Sequence, residues 1–190
     1  DKKNHSKESS EYAITLNWLG EIYKKQGKYI KAEKNFKKSI YIFDNLKSED
    51  NPDISRTLYY LAELYEIQGK SIKAEEIYNR ILLIDKKIYG ENSIEYADTI
   101  VNIGKLLLER NDFEKSEVYL KKSLSIFNKI PDIDPYEKIY SYLYLAELYQ
   151  KQGKYKDSEK NFFKVLNLDK KLFGEDSSNY ATTLDWLAQL

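Results

Sequence analysis

Apolar and polar positions along the chain recur at helical spacing, and the whole pattern returns every 42 residues. In its first appearance the apolar slots are Leu16, Leu19, Gly20 and Tyr23, followed by Ala32, Phe36, Ser39 and Ile42. Steps of three and four mark one face of an α-helix rather than the alternation of a strand. The fullest copy is YLAELYQKQGKY over 144–155, echoed by YLAELYEIQGK from Tyr60 and WLGEIYKKQGKY from Trp18. Gly27, Gly69 and Gly153 end these stretches at offsets of 42 and twice 42, and the absent member falls at Asn111. Asparagine tolerates a positive φ better than most residues with a side chain, so the turn is expected to survive there. A fixed period of this length predicts stacked repeats, none of which buries its apolar face alone.

Punctuating residues divide each repeat into two helices. Ser9, Asn51, Ser93, Asp134 and Ser177 can accept a bond from the first free amides of a helix, and Pro52 and Pro135 sit just inside two of these starts. Asp134 with Glu137 has the form of a capping box. First helices are then expected to reach Gln26, Gln68, Arg110 and Gln152, with second helices over about 28–46, 70–89, 112–130 and 154–173. Gly90 and Gly174 read as stops for two of the second helices, and 182–190 belongs to a ninth helix.

The small residues have a physical reading. Gly20, Ala62, Gly104, Ala146 and Ala188 are expected to face Ala32, Ala74, Ser116 and Ser158, which lets paired axes approach closely. Phe36, Tyr78, Leu120 and Phe162 then fill the space beyond. The expected architecture is all-α, a solenoid of antiparallel helix pairs. Its repeats fall at about 9–50, 51–92, 93–134 and 135–176, with a shortened fifth at 177–190 and a frayed tail at 1–8.

These residues also carry a resemblance. Leu16-Leu19-Gly20-Tyr23-Ala32-Phe36, Leu58-Leu61-Ala62-Tyr65-Ala74-Tyr78 and Tyr142-Leu145-Ala146-Tyr149-Ser158-Phe162 resemble the tetratricopeptide repeat, W-x2-L-G-x2-Y, then A-x3-F, then P. Ile100-Ile103-Gly104-Leu107-Ser116-Leu120 departs furthest but keeps every size class. The family's usual period is about 34 residues. Here the slots of its closing proline hold Asp44, Lys86, Asn128 and Lys170, so the second helix can continue for about two more turns. This longer form is similar to the repeats of kinesin light chains, whose linker Asp50-Asn51-Pro52-Asp53-Ile54 and Gly90-Glu91-Asn92-Ser93 both resemble. The light chain's Asn-Asn pair before the core leucine is missing; only Asn102 keeps its second slot. The resemblance implies a right-handed superhelix whose concave groove takes extended or helical peptides.

Each residue of a helix advances by roughly 100°, so Ile14, Trp18, Glu21 and Lys25 lie opposite the first core cluster. The resemblance makes that side the groove wall. Followed through the repeats, one row runs Ile14, Arg56, Asp98, Tyr140 and Thr182, and the next Trp18, Tyr60, Asn102, Tyr144 and Trp186. A third holds Glu21, Glu63, Lys105, Glu147 and Gln189, with Asn17, Tyr59, Val101 and Leu143 alongside. The candidate peptide contacts are Asn17, Trp18, Glu21, Arg56, Tyr60, Glu63, Asp98, Asn102, Lys105, Tyr140, Tyr144, Glu147 and Trp186. Rings on a solvated face are good anchors, and neighbouring carboxylates favour a Lys or Arg of the ligand. The plainer reading is that the rings pack along the wall and stiffen the array, and that the charges are merely solvated. A clamp for a C-terminal carboxylate is not expected, because Asn17, Glu21, Tyr60, Asp98 and Asn102 offer two acids and no cation.

Composition narrows the function further. Lys plus Arg equals Asp plus Glu at 31 each and the pI is near 6.8, so no net field draws the chain to nucleic acid or an anionic membrane. There is no cysteine, and the sole histidine is His5 in the tail, which leaves no Ser-His or Cys-His pair to build. The seven glycines are accounted for by turns, stops and close contacts, not a phosphate-cradling loop. No catalytic group, metal or cofactor is expected. With no apolar run long enough for a span and no secretory core, an intracellular setting is expected.

The sequence thus predicts a non-catalytic protein-interaction scaffold that takes a partner's peptide or helix. The absence of methionine and a last repeat that stops partway suggest a piece of a longer protein. The alternative is an assembly or sensing array that packs on neighbouring domains, or self-associates end to end through Leu184 and Leu187.

Overall fold

The computed structural model describes residues 9–46 and 51–190; the expected tail, with His5, lies outside them. Among the described residues there is no strand. The α-helices are α1 (Ser10–Lys25), α2 (Tyr29–Asn45), α3 (Pro52–Ile67), α4 (Ser71–Ile88), α5 (Ile94–Glu109), α6 (Phe113–Phe127), α7 (Ile139–Lys151), α8 (Tyr155–Phe173) and α9 (Ser178–Ala188). A 3-10 turn, Pro135–Lys138, precedes α7. The chain forms two compact units, the first closing at Gly90 and the second opening at Glu91.

Local chemistry sets the boundaries. The Ser9, Ser93 and Ser177 side chains accept the amides of Tyr12, Tyr96 and Tyr180, and Asn51 accepts that of Asp53. At the first turn Gly27 takes φ +70° while the Lys28 amide reaches back 2.9 Å to the Tyr23 carbonyl. Asn111 adopts φ +60° in the same role, with the Asp112 amide 2.9 Å from the Leu107 carbonyl. Two geometrically equal turns therefore follow from different residues, because both tolerate the left-handed region.

The small-to-large fit holds each pair together. A Cβ on Gly20 would lie 2.4 Å from Phe36 Cε1, and one on Gly104 would lie 2.7 Å from Leu120 Cδ2, so no methyl fits at either place without displacement. Where the facing slot is serine, its hydroxyl bonds across. Ser116 Oγ donates to the Gly104 carbonyl and Ser158 Oγ to the Ala146 carbonyl, each at 2.7 Å. The close backbone approach thereby also satisfies a buried hydroxyl.

Three expectations are corrected. The second helix of the third repeat ends at Phe127 rather than near 130, because Pro131 disfavours helical geometry at Ile130. Tight i to i−3 bonds, Lys129 to Ile126 and Ile130 to Phe127, close it instead. The capping box of Asp134 and Glu137 does not form. Asp134 Oδ1 accepts the Tyr136 amide at 2.9 Å and the Glu137 amide goes to the Asp134 backbone carbonyl, the geometry of a 3-10 turn. Burial, with the Asp134 and Glu95 carboxylates nearby, pushes the Glu137 carboxyl above its usual range, the reverse of what a reach-back bond would do. Finally, Leu19 is 37% exposed, whereas Leu61 and Leu145 in the same slot are buried. That slot packs towards a preceding helix pair, and among the described residues none precedes α1.

The two units repeat one another's contacts at an offset of 84 residues. Glu33 binds Lys37 and the Tyr65 hydroxyl in the first unit, as Glu117 binds Lys121 and the Tyr149 hydroxyl in the second. The amine of Lys38 lies over the Tyr12 ring, as that of Lys122 lies over Tyr96. Odd and even repeats are thus distinct in their polar bonding, which the 42-residue apolar period conceals.

Candidate functional site

Each unit is taken by itself. In the first, Trp18 on α1 is 65% exposed and presents its ring to solvent. Asn17, one residue earlier, is turned the other way and is 5% exposed, its amide donating to Thr57 Oγ1 on α3 at 2.5 Å. It ties two first helices together and leaves the open face, a correction to its place among the candidates. Tyr60 on α3 is half-buried; its ring stacks on Phe36 with centroids 5.9 Å apart and meets Tyr59 edge-on at 6.4 Å. Arg56 is held by Asp53 at 2.8 Å, one turn back on its own helix.

Between these groups stands a residue that the row pattern passed over. The Lys24 amine lies 2.7 Å from Glu21 and 2.8 Å from Glu63, and 5.4 Å from the centre of the Tyr60 ring. Burial alone would lower this amine's pKa, but the bonds to Glu21 and Glu63 outweigh it and hold the value above the usual lysine range. The cation expected from a ligand, set among carboxylates and over a ring, is therefore supplied by the chain itself. Glu21 at three residues' distance was a visible signal for this contact; Glu63, 39 residues away, was not.

In the second unit, Asn102 is half-buried and donates to the Asp98 backbone carbonyl at 3.0 Å, while Lys105 pairs with Glu109 at 3.7 Å. Glu147 pairs with Lys151 at 3.0 Å. Tyr140 is 46% exposed and stacks on Tyr144 with centroids 6.1 Å apart. Trp186 on α9 lies against Phe162 on α8 at 6.1 Å, the same relation that Tyr60 bears to Phe36. So the aromatic row divides. Tyr60 and Trp186 rest on the large side chain of the preceding second helix, while Trp18 keeps much of its surface in water, as does Tyr140 of the neighbouring row.

Among the described residues no group of three or more His, Asp or Glu is placed to hold a metal ion. No helix of the described residues is long and apolar enough to cross a membrane. The arrangement offers ring faces, hydrogen-bonding groups and paired charges rather than a nucleophile beside a base.

Helix pairs with these slots define a class of protein, the helical-repeat scaffolds. Models of the tetratricopeptide repeat match residues 11–82, 53–129 and 139–179, and the chain belongs to that family. Such repeats generally mediate protein–protein interaction, and their fold is typically non-catalytic. Solved structures with this fold include BtubC (BKLC) from P. vanneervenii, 18% identical, with TM-score 0.79 over 90% of this chain and 68% of that one. Another is a putative kinesin light chain of Podosopora anserina with nearly identical TPR-like repeats, 14% identical, with TM-score 0.77 over 95% of this chain and 86% of that one. A single-residue variant of that light chain matches at 14% identity and TM-score 0.78, over 95% and 85% of the two chains. The 42-residue repeats here share the fold of those structures. No curated protein matches the sequence.

Proposed function

We propose that the chain is a non-catalytic interaction scaffold that takes an extended or helical peptide of a partner protein on its first-helix rings. The observation that carries this is the exposure of Trp18 at 65% and Tyr140 at 46%, on helices whose opposite faces are locked in the core. Large rings with few rotors, held on a rigid support, bury much area on binding at small entropic cost. Tyr60, Tyr144 and Trp186 combine packing with partial exposure and flank these anchors. The paired states of Arg56, Lys105 and Glu147 favour ring contacts over free charges as the source of affinity.

The test is selection of binders from a random-peptide display library on the immobilised chain. Trp18→Ala, Tyr60→Ala and Tyr144→Ala are expected to weaken binding of the selected peptides by tenfold or more with helical content unchanged. Peptides that bind all three folded variants as tightly as the wild type would end the assignment.

A second reading, self-association through α9, draws on Leu184, which is 43% exposed. Light scattering over a concentration series decides it: a mass that rises with concentration and returns to one chain's in Leu184→Glu supports it, and a constant single-chain mass refutes it.

A further inference from the structure

The second unit contains an open cavity of about 170 Å3 that the repeat pattern alone does not explain. Tyr136, Tyr140 and Trp186 line it with aromatic surface, Val165 adds an aliphatic wall, and Asp169 and Thr183 supply polar atoms. The rings lean on one another and on neighbouring rings. Tyr136 is held edge-on between Tyr140 and Phe173, each at 6.2 Å, and Trp186 rests on Phe162 at 6.1 Å.

Asp169 is the unusual member. It lies within α8, is 3% exposed, and receives one bond, from Thr183 Oγ1 to its Oδ2 at 2.7 Å. No lysine or arginine of the described residues pairs with it, and none lines the cavity. A carboxylate buried this deeply is normally matched by a cation or several donors, since a neutral hydroxyl offsets only part of its lost hydration. Ring faces beside it add their own attraction for positive charge. Size points the same way: the space is well under the roughly 300–1000 Å3 of a drug-sized site, and suits one flexible side chain.

We infer that this cavity is a socket for an alkylammonium group, namely a lysine side chain of a partner peptide, with its stem against the rings and Val165 and its amine at Asp169. The inference rests on the peptide-binding reading above and gives it a chemical preference in this unit. Lysine suits the site because a compact ammonium on an apolar stem matches one carboxylate at an aromatic opening. In the first unit the residue at the offset of 84, Asp85, is equally buried and accepts from Ser55 Oγ at 2.9 Å, but the slots of Tyr140 and Trp186 hold Arg56 and Asn102, so the ring-lined opening belongs to the second unit's own residues.

The two tryptophans make a direct test, since Trp186 lines the cavity and Trp18 lies in the other unit. Their indole N–H resonances would be followed by NMR while acetyl-Gly-Lys-Gly-amide is added, and again with the neutral norleucine tripeptide. The lysine peptide is expected to move Trp186 saturably and leave Trp18 in place, with norleucine at least tenfold weaker. Asp169→Asn should lose that preference. Should this variant melt early because its bond to Thr183 is altered, Tyr140→Leu leaves the carboxylate and Thr183 intact and is expected to bind several-fold more weakly. Equal responses to the two peptides, or wild-type binding by folded Asp169→Asn, would overturn the socket. The outcomes separate the two proposals. If the tripeptide binds while library peptides ignore the ring substitutions, the socket stands without the row; if norleucine competes equally while those substitutions weaken capture, the row stands without the socket.

Discussion

Replacing Lys24 by methionine removes the cation between Glu21 and Glu63 but keeps a stem of similar length. The Lys24 side chain is 13% exposed, Glu21 19% and Glu63 35%, so the cluster lies between a surface pair and a buried one. Exposed pairs contribute about 0–1 kcal/mol, whereas a charged hydrogen bond sheltered from water contributes about 1.5–3 kcal/mol. Glu63 is discounted for its exposure, while the substitution leaves two carboxylates facing each other. A loss of about 2 kcal/mol is expected, or about 4–8 °C in Tm for a chain of this size. Urea unfolding followed by circular dichroism measures it at pH 7. The contribution is linked to pH in a definite sense. The folded amine titrates above the usual lysine value, so the stabilisation is complete below about 10.4 and fades as pH rises through the raised folded value. Adding Glu63→Gln to Lys24→Met should restore about 1 kcal/mol by removing the repulsion, although Glu63→Gln alone destabilises. Stability within about 0.5 kcal/mol of wild type for Lys24→Met, or strict additivity in the cycle, would refute the bridge.

Other outcomes follow from the same contacts. Gly20→Ala places a methyl 2.4 Å from Phe36 Cε1. Overpacking of about 1–3 kcal/mol less about 1 kcal/mol of helix propensity leaves a net loss of about 1 kcal/mol, which Phe36→Leu should relieve in urea titrations of the double variant. At the φ +60° turn, Asn111→Ala should cost about 1 kcal/mol while Asn111→Gly costs nothing, again by urea midpoint. Lys37 and the Tyr65 hydroxyl hold the Glu33 carboxyl below its usual range against burial, and Lys121 and Tyr149 do the same for Glu117. Their contribution is present above the unfolded glutamate value of about 4.3 and is lost as pH falls through the depressed folded values. The acid limb of a Tm-against-pH curve should therefore flatten in Glu33→Gln with Glu117→Gln.

Much of this protein is legible in its sequence. The period, the paired helices, the serine caps, the asparagine turn and the family all rest on local preferences or on the apolar stripe, and sequence carries both directly. The expected close approach at Gly20 and Gly104 was readable because a missing Cβ opposite a large side chain has few other purposes. Less was visible around Pro131, where a competing local rule overrode the repeat and shortened α6.

The polar details were decided in three dimensions. Asn17 and Trp18 are neighbours in sequence, yet one is buried against Thr57 and the other open to water. Their difference depends on how far α3 leans across α1, which no periodicity states. Lys24 finds Glu63 from 39 residues away, and Asp169 meets Thr183 across the α8–α9 turn. Sequence by itself determined that the first helices would carry rings and charges on the side away from their core residues. Tertiary structure alone decided which rings are free, which charges are already matched, and that the buried Asp169 carboxylate has no cation among the described residues, because these are properties of side chains meeting across helices.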